Sequence, residues 1–518
     1  MKFKNKFNNT LFIIVSLILT LCITSCVELD EFSDNTSTDL QLTAKEDVTV
    51  EDFDELVISA YQGMYLAMRF NSYFVAGWAG DDITTFTGGN KGDFRQFDQR
   101  IITPTNGRVQ ENWTNIFRVF SRVNLAVDQS EVLRNKFEGK TNLSTEEIVE
   151  KETIERLYGE LLVLEAIALH HLVRIHEKIP LSFSTTEVAK TLSSTTEVYE
   201  RIEEDLIKAE ELLPNVSPGI VGATRPNKGS AQALLSRLYL DWAGFPVKDN
   251  SKYAKAAEKV KEVIDNSEDY NFELLDDPAD LWLLENRYNN ESVVAFNYNT
   301  TIGQGNFKYA RLGYPTHLGG WDETFAEIRF FEDFPEGPRK KATYRTDLKW
   351  ETFTTQKSPV FAKITGPAGD IDPSVFQTNR VDFLMRYAEV LLTYAEASGR
   401  SGNVTDEAWE ALNMVRRRAE GMPVNVADSE IDITTGDIAE LAFTERKWEL
   451  AGEFLRWFDL VRMERVEEAL SNREPQVSKT ESGDLIKEHN KIVGSLGTEN
   501  YFAPIPAQVL IDNPGFVE

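Results

Sequence analysis

Apolar residues along most of this chain recur every three to four positions, the period that places side chains on one face of an α-helix. Phe53, Leu56, Val57, Ala60, Tyr61, Met64, Tyr65 and Met68 share such a face, and Thr49 with Asp52 has the spacing of a capping box at its start. The pattern returns in Trp113, Ile116, Phe117, Phe120 and Val127. It then runs through Ile154, Leu157, Leu161, Leu164, Ala168, Leu172 and Ile175, stopping before Pro180. Val198, Ile202, Leu206, Ala209 and Leu213 follow behind a second capping box, Ser194 with Glu197. Paired helices are predicted around 230–243 and 252–265, the second using Tyr253, Ala256, Val260 and Val263. Further on, Leu384, Ala388, Leu391, Leu392 and Ala395 form a stripe closed by Gly399, and Ala408, Leu412, Val415 and Ala419 face back across a short turn. Alanines at this spacing let antiparallel helices approach closely, as in helix pairs of the tetratricopeptide kind. The spacing between pairs is irregular. The predicted fold is therefore mainly α, a degenerate tetratricopeptide-like helix-pair array.

Two stretches break the pattern, about 70–110 and about 285–375. They are rich in Gly, Asn, Asp, Pro and aromatic residues, and short strands such as Val293–Phe296 are predicted there. Long irregular segments inside compact domains are commonly functional, and this aromatic content argues against disorder. Aromatic rings offer apolar faces that match the C–H faces of sugars, while Asn, Asp and Arg take the hydroxyls. Trp78, Phe86 and Asn90 in the first stretch, and Tyr309, Tyr314 and Trp321 in the second, are as a set the candidate ligand-binding residues, although each ring taken singly reads first as core or loop packing.

The beginning of the chain reads differently. Lys2, Lys4 and Lys6 precede an apolar run from Leu11 to Ile23, which is followed by Ser25 and Cys26. That order matches a lipoprotein-type signal peptide over 1–25, with acyl chains carried by Cys26 and a polar tether over 26–48. One helical domain over 49–518 follows. Removing the leader also removes Cys22, so no cysteine pair remains for a disulfide. The formal charge of -29 becomes -32 once the three leader lysines are gone. Such a surface repels nucleic acid, and none is expected as a partner.

No catalytic constellation stands out. His170, His171 and His176 lie on one predicted helix without metal-ligand spacing, so no metal or cofactor is expected. Asp81 and Asp82 could pose as the carboxylate pair of a glycosidase, but among 84 acidic residues adjacency carries little weight.

Several motifs then point to one family. Arg386–Leu392 with Tyr394–Ala397, Gly402-Asn403, Asn413–Ala419, Glu445–Ala451 and Arg456–Arg462 occur in order, closed by Pro504–Pro506 and Asn513–Gly515. Tyr158–Glu160 with Pro180, and Arg225–Gly229 with Leu240, lie upstream. This set resembles the RagB/SusD family of nutrient-uptake lipoproteins. The resemblance implies a non-catalytic protein anchored to the outer membrane and facing the exterior. It would capture oligosaccharide and deliver it to a TonB-dependent transporter of the SusC type. It would also hold its glycan site among such aromatic loops, and the choice of the six binding candidates as a set leans on this resemblance. A peptide-binding member of the family and a secreted helical glycoside hydrolase are the alternative readings. Phe454 and Glu177 stand where the family commonly has glycine. The charged motif residues themselves read as half-buried Arg–carboxylate pairs that dock helices.

Overall fold

The computed structural model describes residues 48–182, 189–218, 225–309, 311–471, 473, 477–479, 485–488 and 491–517. The leader, Cys26 and all of the tether except Val48 lie outside the described residues. The main helices are α1 (Val50–Met68), α2 (Gly92–Asp98), α3 (Gly107–Asn135), α4 (Thr145–His176), α5 (Thr195–Leu212), α6 (Lys228–Ala243), α7 (Lys252–Asp265), α8 (Tyr387–Ser401), α9 (Asp406–Ala419), α10 (Ile438–Glu449) and α11 (Arg456–Arg462). Both predicted capping boxes form, and Ser144 with Glu147 makes a third ahead of α4. No helix among the described residues is long and apolar enough to cross a membrane.

Each long helix packs on its successor. α1 lies against α3, α3 against α4, α4 against α5, and so on through α6, α7 and α8, with α9 and α10 both on α8. This is the mainly α, tetratricopeptide-like array that the periodicity predicts. Two details differ from the prediction. Leu384 belongs to a strand, and α8 runs past Gly399 to end at Gly402, whose φ of 78° supplies the left-handed cap. Gly399 serves another purpose, because a Cβ there would sit 2.7 Å from the backbone nitrogen of Ala439 on α10. It lets the two helices touch.

The sheets are small and antiparallel. β1 (Ile83–Thr84) pairs with β3 (Phe325–Ala326), and β2 (Ser292–Phe296) pairs with β4 (Asp382–Arg386). A third hairpin joins β5 (Val477–Lys479) to β6 (Leu485–Glu488). The first pair stitches one irregular stretch to the other, and β4 leads directly into α8.

Buried charge ties the loops to the helices. Arg386 at the end of β4 donates to Glu291 at 2.8 Å and to both oxygens of Glu453 at 2.9 Å. Arg418 on α9 is bonded to Glu291 and, at 2.8 Å, to Glu449. Arg446 and Arg462 both reach Asp459, and Arg462 also grips Glu396 with two bonds of 2.7 Å. Burial opposes ionisation of Glu449, but the surrounding Arg418, Arg386, Arg339 and Lys363 outweigh it and hold the carboxyl far below its usual range. Arg446 and Arg462 do the same for Asp459 against its own burial. The family motifs are therefore a scaffold of paired charge, as their spacing implies.

Both departures from glycine fall where the backbone is left-handed. Glu177, capping α4, has φ 63°, and Phe454 has φ 62°. A side chain in that region costs on the order of 1–2 kcal/mol. At Phe454 the ring offsets the strain by packing on Phe74 and Trp78, with centroids 5.0 and 5.3 Å away. Gly77 makes the room, since a Cβ there would lie 2.7 Å from the Phe454 ring.

The histidines on α4 are interior packing groups. His171 stacks on Tyr73 at 3.7 Å and pairs with Asn112, His170 meets Asp241 at 2.8 Å, and His176 faces the Ala503 carbonyl at 3.1 Å. Burial pushes His170 and His176 down to about 4, so they are neutral at physiological pH. Asp81 accepts from Arg456 at 2.7 Å, and Asp82 accepts the Gly452 N–H at 2.9 Å. The two carboxylates thus tie the first irregular stretch to the start of α11 and to the turn before it. Burial and the neighbouring Asp81 push the Asp82 carboxyl up to about 7.

Candidate functional site

The six predicted binding residues divide by burial. Trp78 is fully buried, wedged against Phe94 at 4.5 Å and Phe454 at 5.3 Å. Tyr309 is buried beneath the Arg380 guanidinium, 4.8 Å from its ring, and Tyr314 is buried with its hydroxyl bonded to Arg345. For these three the structure places the side chains among the buried residues, Trp78 and Tyr309 within one core cluster, against the exposed stacking position expected of them. Their aromatic character fits either role, and periodicity is silent in irregular segments.

Trp321 is 44% exposed, and Phe86 and Asn90 also reach the surface. The turn carrying Trp321 is shaped by its neighbours. Gly319 has φ 90°, and a Cβ at Gly320 would fall 1.9 Å from the Tyr314 carbonyl oxygen. The Trp321 N–H donates to the Arg311 carbonyl at 2.9 Å, which fixes the indole at the rim.

The indole does not stand alone. Trp321 meets Phe376 at 5.2 Å, Phe376 meets Phe307 edge-on at 5.0 Å, and Phe307 stacks on Phe70 at 4.5 Å. Arg311 lies over Trp321 and Phe376 at 5.9 and 5.7 Å, and Arg69 lies over Phe70 at 5.4 Å. The result is a strip of four rings drawn from three distant segments, with an arginine toward each end. Phe70 and Phe376 are half-buried, and Phe307 is buried beneath them. Backbone pairing builds it: Phe307 N–H bonds the Arg69 carbonyl at 3.0 Å, and Asn306 exchanges bonds of 2.8 and 2.9 Å with Thr378.

Glu323 gathers the rest. Its carboxylate accepts from Asn71 and, at 2.8 Å, from Lys91, while its carbonyl accepts from Thr85 at 2.7 Å. These partners adjoin Phe70, Asn90 and Phe86 in sequence, so one buried carboxylate brings the Phe86–Asn90 loop into the neighbourhood of Trp321. Arg95 holds that loop from within, donating to the carbonyls of Phe86 at 3.2 Å and Gly88 at 2.8 Å. The sequence reading missed Phe70, Phe376, Arg69, Arg311 and Glu323. A weak signal existed for Phe70, an aromatic lying just past the apolar face of α1. The pairing of Asn306 with Thr378 left no local trace. Chemically, the strip offers flat apolar faces flanked by N–H donors. That is a stacking surface for a ring-containing, hydroxyl-bearing ligand. Among the described residues, no group of three or more His, Cys, Asp or Glu side chains is placed to hold a metal ion.

Comparison with known proteins agrees with this architecture. The SusD family profile matches residues 336–518. A second profile, described as starch-binding associating with outer membrane, matches residues 29–240. The SusD-like protein P2 of Formosa agariphila is 25% identical over 476 residues, 83% of this chain and 85% of that protein. A SusD homolog from Bacteroides thetaiotaomicron superposes with a TM-score of 0.73 at 22% identity, covering 93% of this chain and 99% of the other. A laminarin-binding SusD-like protein gives 0.67 at 21% identity, over 90% and 98% of the two chains. Surface glycan-binding protein A from Bacteroides uniformis gives 0.70 at 20%, over 90% and 99%. At these identities the structural likeness establishes a shared fold.

Proposed function

We propose that this chain, which belongs to the RagB/SusD family, captures oligosaccharides on the strip of Trp321, Phe376 and Phe70 and passes them to a TonB-dependent transporter of the SusC type. The observation that carries the reading is the exposed indole of Trp321, continuous with two half-buried rings and flanked by Arg311 and Arg69. Relatives described as glycan-binding and laminarin-binding support a saccharide as the ligand, and the starch-binding, outer-membrane profile supports the location. The role is binding without cleavage. Asn90 and Phe86 line the approach, and their loop contributes hydroxyl contacts and a further ring.

Two or three rings at roughly 1–1.5 kcal/mol each sum to about 2–4.5 kcal/mol, dissociation constants from tens of millimolar to about millimolar. Such affinity suits capture and release. Trp321→Ala is expected to weaken binding to a soluble glycan panel roughly tenfold, the equivalent of about 1.4 kcal/mol, with the melting temperature unchanged. Calorimetric titration checks the first and thermal unfolding the second. Unchanged affinity would remove the strip as the site. Accumulation of new reducing ends during the same incubations would favour the hydrolase reading, and a response to peptides alone would favour a peptide-binding member.

The anchor is part of the proposal. Acyl chains on Cys26 hold the helical domain at the outer membrane, facing outward, with residues 26–48 as tether. Cys26→Ala is expected to move the protein from the membrane pellet to the soluble fraction with its circular dichroism intact. Retention in the pellet counts against the lipid anchor.

A further inference from the structure

Lys308 and Asp382 form an ion pair sealed inside the protein. Nζ of Lys308 lies 2.6 Å from Oδ2 of Asp382, and both side chains are 1% exposed. The lysine follows Phe307 at the base of the aromatic strip, and the aspartate opens β4, 74 positions further along the chain.

The surroundings are apolar. Rings of Phe74, Tyr298 and Tyr309 stand 4.9, 5.2 and 5.4 Å from the ammonium. The Met68 carbonyl accepts from Nζ and holds it in place. Tyr298 donates its hydroxyl to Oδ2 of Asp382, while Oδ1 has no hydrogen-bond partner among the described residues. Among those residues, no guanidinium is bonded to this carboxylate. A second buried pair shows the contrast. Glu453 meets Lys363 at 2.7 Å but is also gripped by Arg386 through two bonds of 2.9 Å, an arrangement that favours the charged carboxylate.

Charge buried as it is at Lys308 is costly to keep. Moving a proton from Nζ to the Asp382 carboxyl removes both charges at once. Burial favours that transfer, since it lowers the Lys308 ammonium against the pull of Asp382. Burial and the nearby Asp382 also raise the Tyr298 phenol, which keeps its hydroxyl protonated.

A neutral lysine amine is a nucleophile, and the carbon bearing Oδ2 is its electrophile. Nζ bonds to Cγ, the Cγ–Oδ2 bond breaks, and the oxygen leaves as water with the acid proton and one proton from nitrogen. Tyr298 gives its proton to the departing oxygen and recovers one from Nζ. Groups held in contact react at an effective concentration of roughly 10⁵–10⁸ M. There is space for the product. Asp382, Phe74, Tyr309 and Lys363 line a hollow of about 20 Å³, enough for about one water.

We infer that Lys308 and Asp382 condense into an internal amide, a covalent tie between the base of the aromatic strip and β4. The loop it closes carries Trp321 and Phe376. The bond is independent of which ligand the strip takes.

Tryptic mapping of the unfolded full-length protein by mass spectrometry tests it. Unlinked chains give 288–308 and 381–386 as separate peptides. The linked form resists cleavage after Lys308 and gives 288–311 joined to 381–386, about 18 Da lighter than their sum. The expected result is the branched peptide in the wild type and separate peptides in Lys308→Arg, which keeps the charge and lacks the amine. Tyr298→Phe is expected to hold roughly tenfold less of the branched peptide at equal times after synthesis. Thermal unfolding identifies variants that fold, and the wild-type map stands without them. Separate peptides alone in the wild type overturn the inference and leave a buried ion pair. A branched peptide that persists in Lys308→Arg overturns it as well, because the link then lies elsewhere. Equal amounts in Tyr298→Phe and the wild type overturn the role given to the phenol.

Discussion

Trp78→Ala is expected to destabilise the protein by about 3–5 kcal/mol, the range for removing a large aromatic from a packed core. The indole is fully buried, and its neighbours Phe94 and Phe454 lean on it from 4.5 and 5.3 Å. Phe454 is the reason for an effect at the upper end. Its backbone sits in the left-handed region at φ 62°, and the packing of its ring compensates for that strain. Without Trp78 the strain stays while the compensation goes. Thermal or denaturant unfolding measures the loss, and glycan affinity of the folded fraction stays at the wild-type value. A melting temperature equal to wild type would show that the indole is not part of the core.

Arg418→Met is expected to cost about 3 kcal/mol, the lower end of the range for breaking a buried pair, because it removes one of the cations that two buried carboxylates share. Glu291 and Glu449 both rely on this guanidinium, and all three side chains are hidden from solvent. Arg416→Met is the control. That side chain, two positions earlier on α9, is partly exposed and approaches Glu445 at only 3.6 Å, so its loss belongs in the range of about 0–1 kcal/mol. The pH dependence separates electrostatics from packing. Burial works against Glu449 ionising, but its cationic neighbours depress the folded-state pKa well below that of the unfolded chain. Its stabilising contribution is then complete above the unfolded value, about 4.3, and is lost as pH falls through the folded one. Removing Arg418 raises the folded value toward the unfolded one. The acid-unfolding midpoint of Arg418→Met therefore moves to higher pH than in the wild type. Identical midpoints, or equal effects of the two substitutions, would mean that the buried network does not hold the loops to the helices.

Helices were legible in the sequence because their information is local. Thr49 with Asp52 and Ser194 with Glu197 cap helices through bonds three residues apart, and the stripes of α1, α4 and α8 repeat within a single turn. Such signals survive reading one residue at a time. The spacing of the motif charges likewise implied pairing, although it could not say that Arg418 would choose Glu291 over a partner on its own helix. The two positions departing from glycine, Glu177 and Phe454, marked left-handed turns without revealing how each is tolerated.

The irregular stretches behaved otherwise. Trp78, Phe86 and Trp321 are equally aromatic in the sequence, yet one is in the core and the others reach water. Nothing within ten residues of each distinguishes them. The division is made by contacts between segments far apart in the chain: Phe454 closing over Trp78, Asn306 pairing with Thr378 to raise Phe376 beside Trp321, and Glu323 drawing in Asn71, Thr85 and Lys91. By itself, then, the sequence determined the helical frame, its caps and its charge-paired motifs, since each is written in short-range periodicity. Which rings stay dry and which meet a ligand was decided only in the tertiary structure, where burial depends on neighbours that local pattern does not encode.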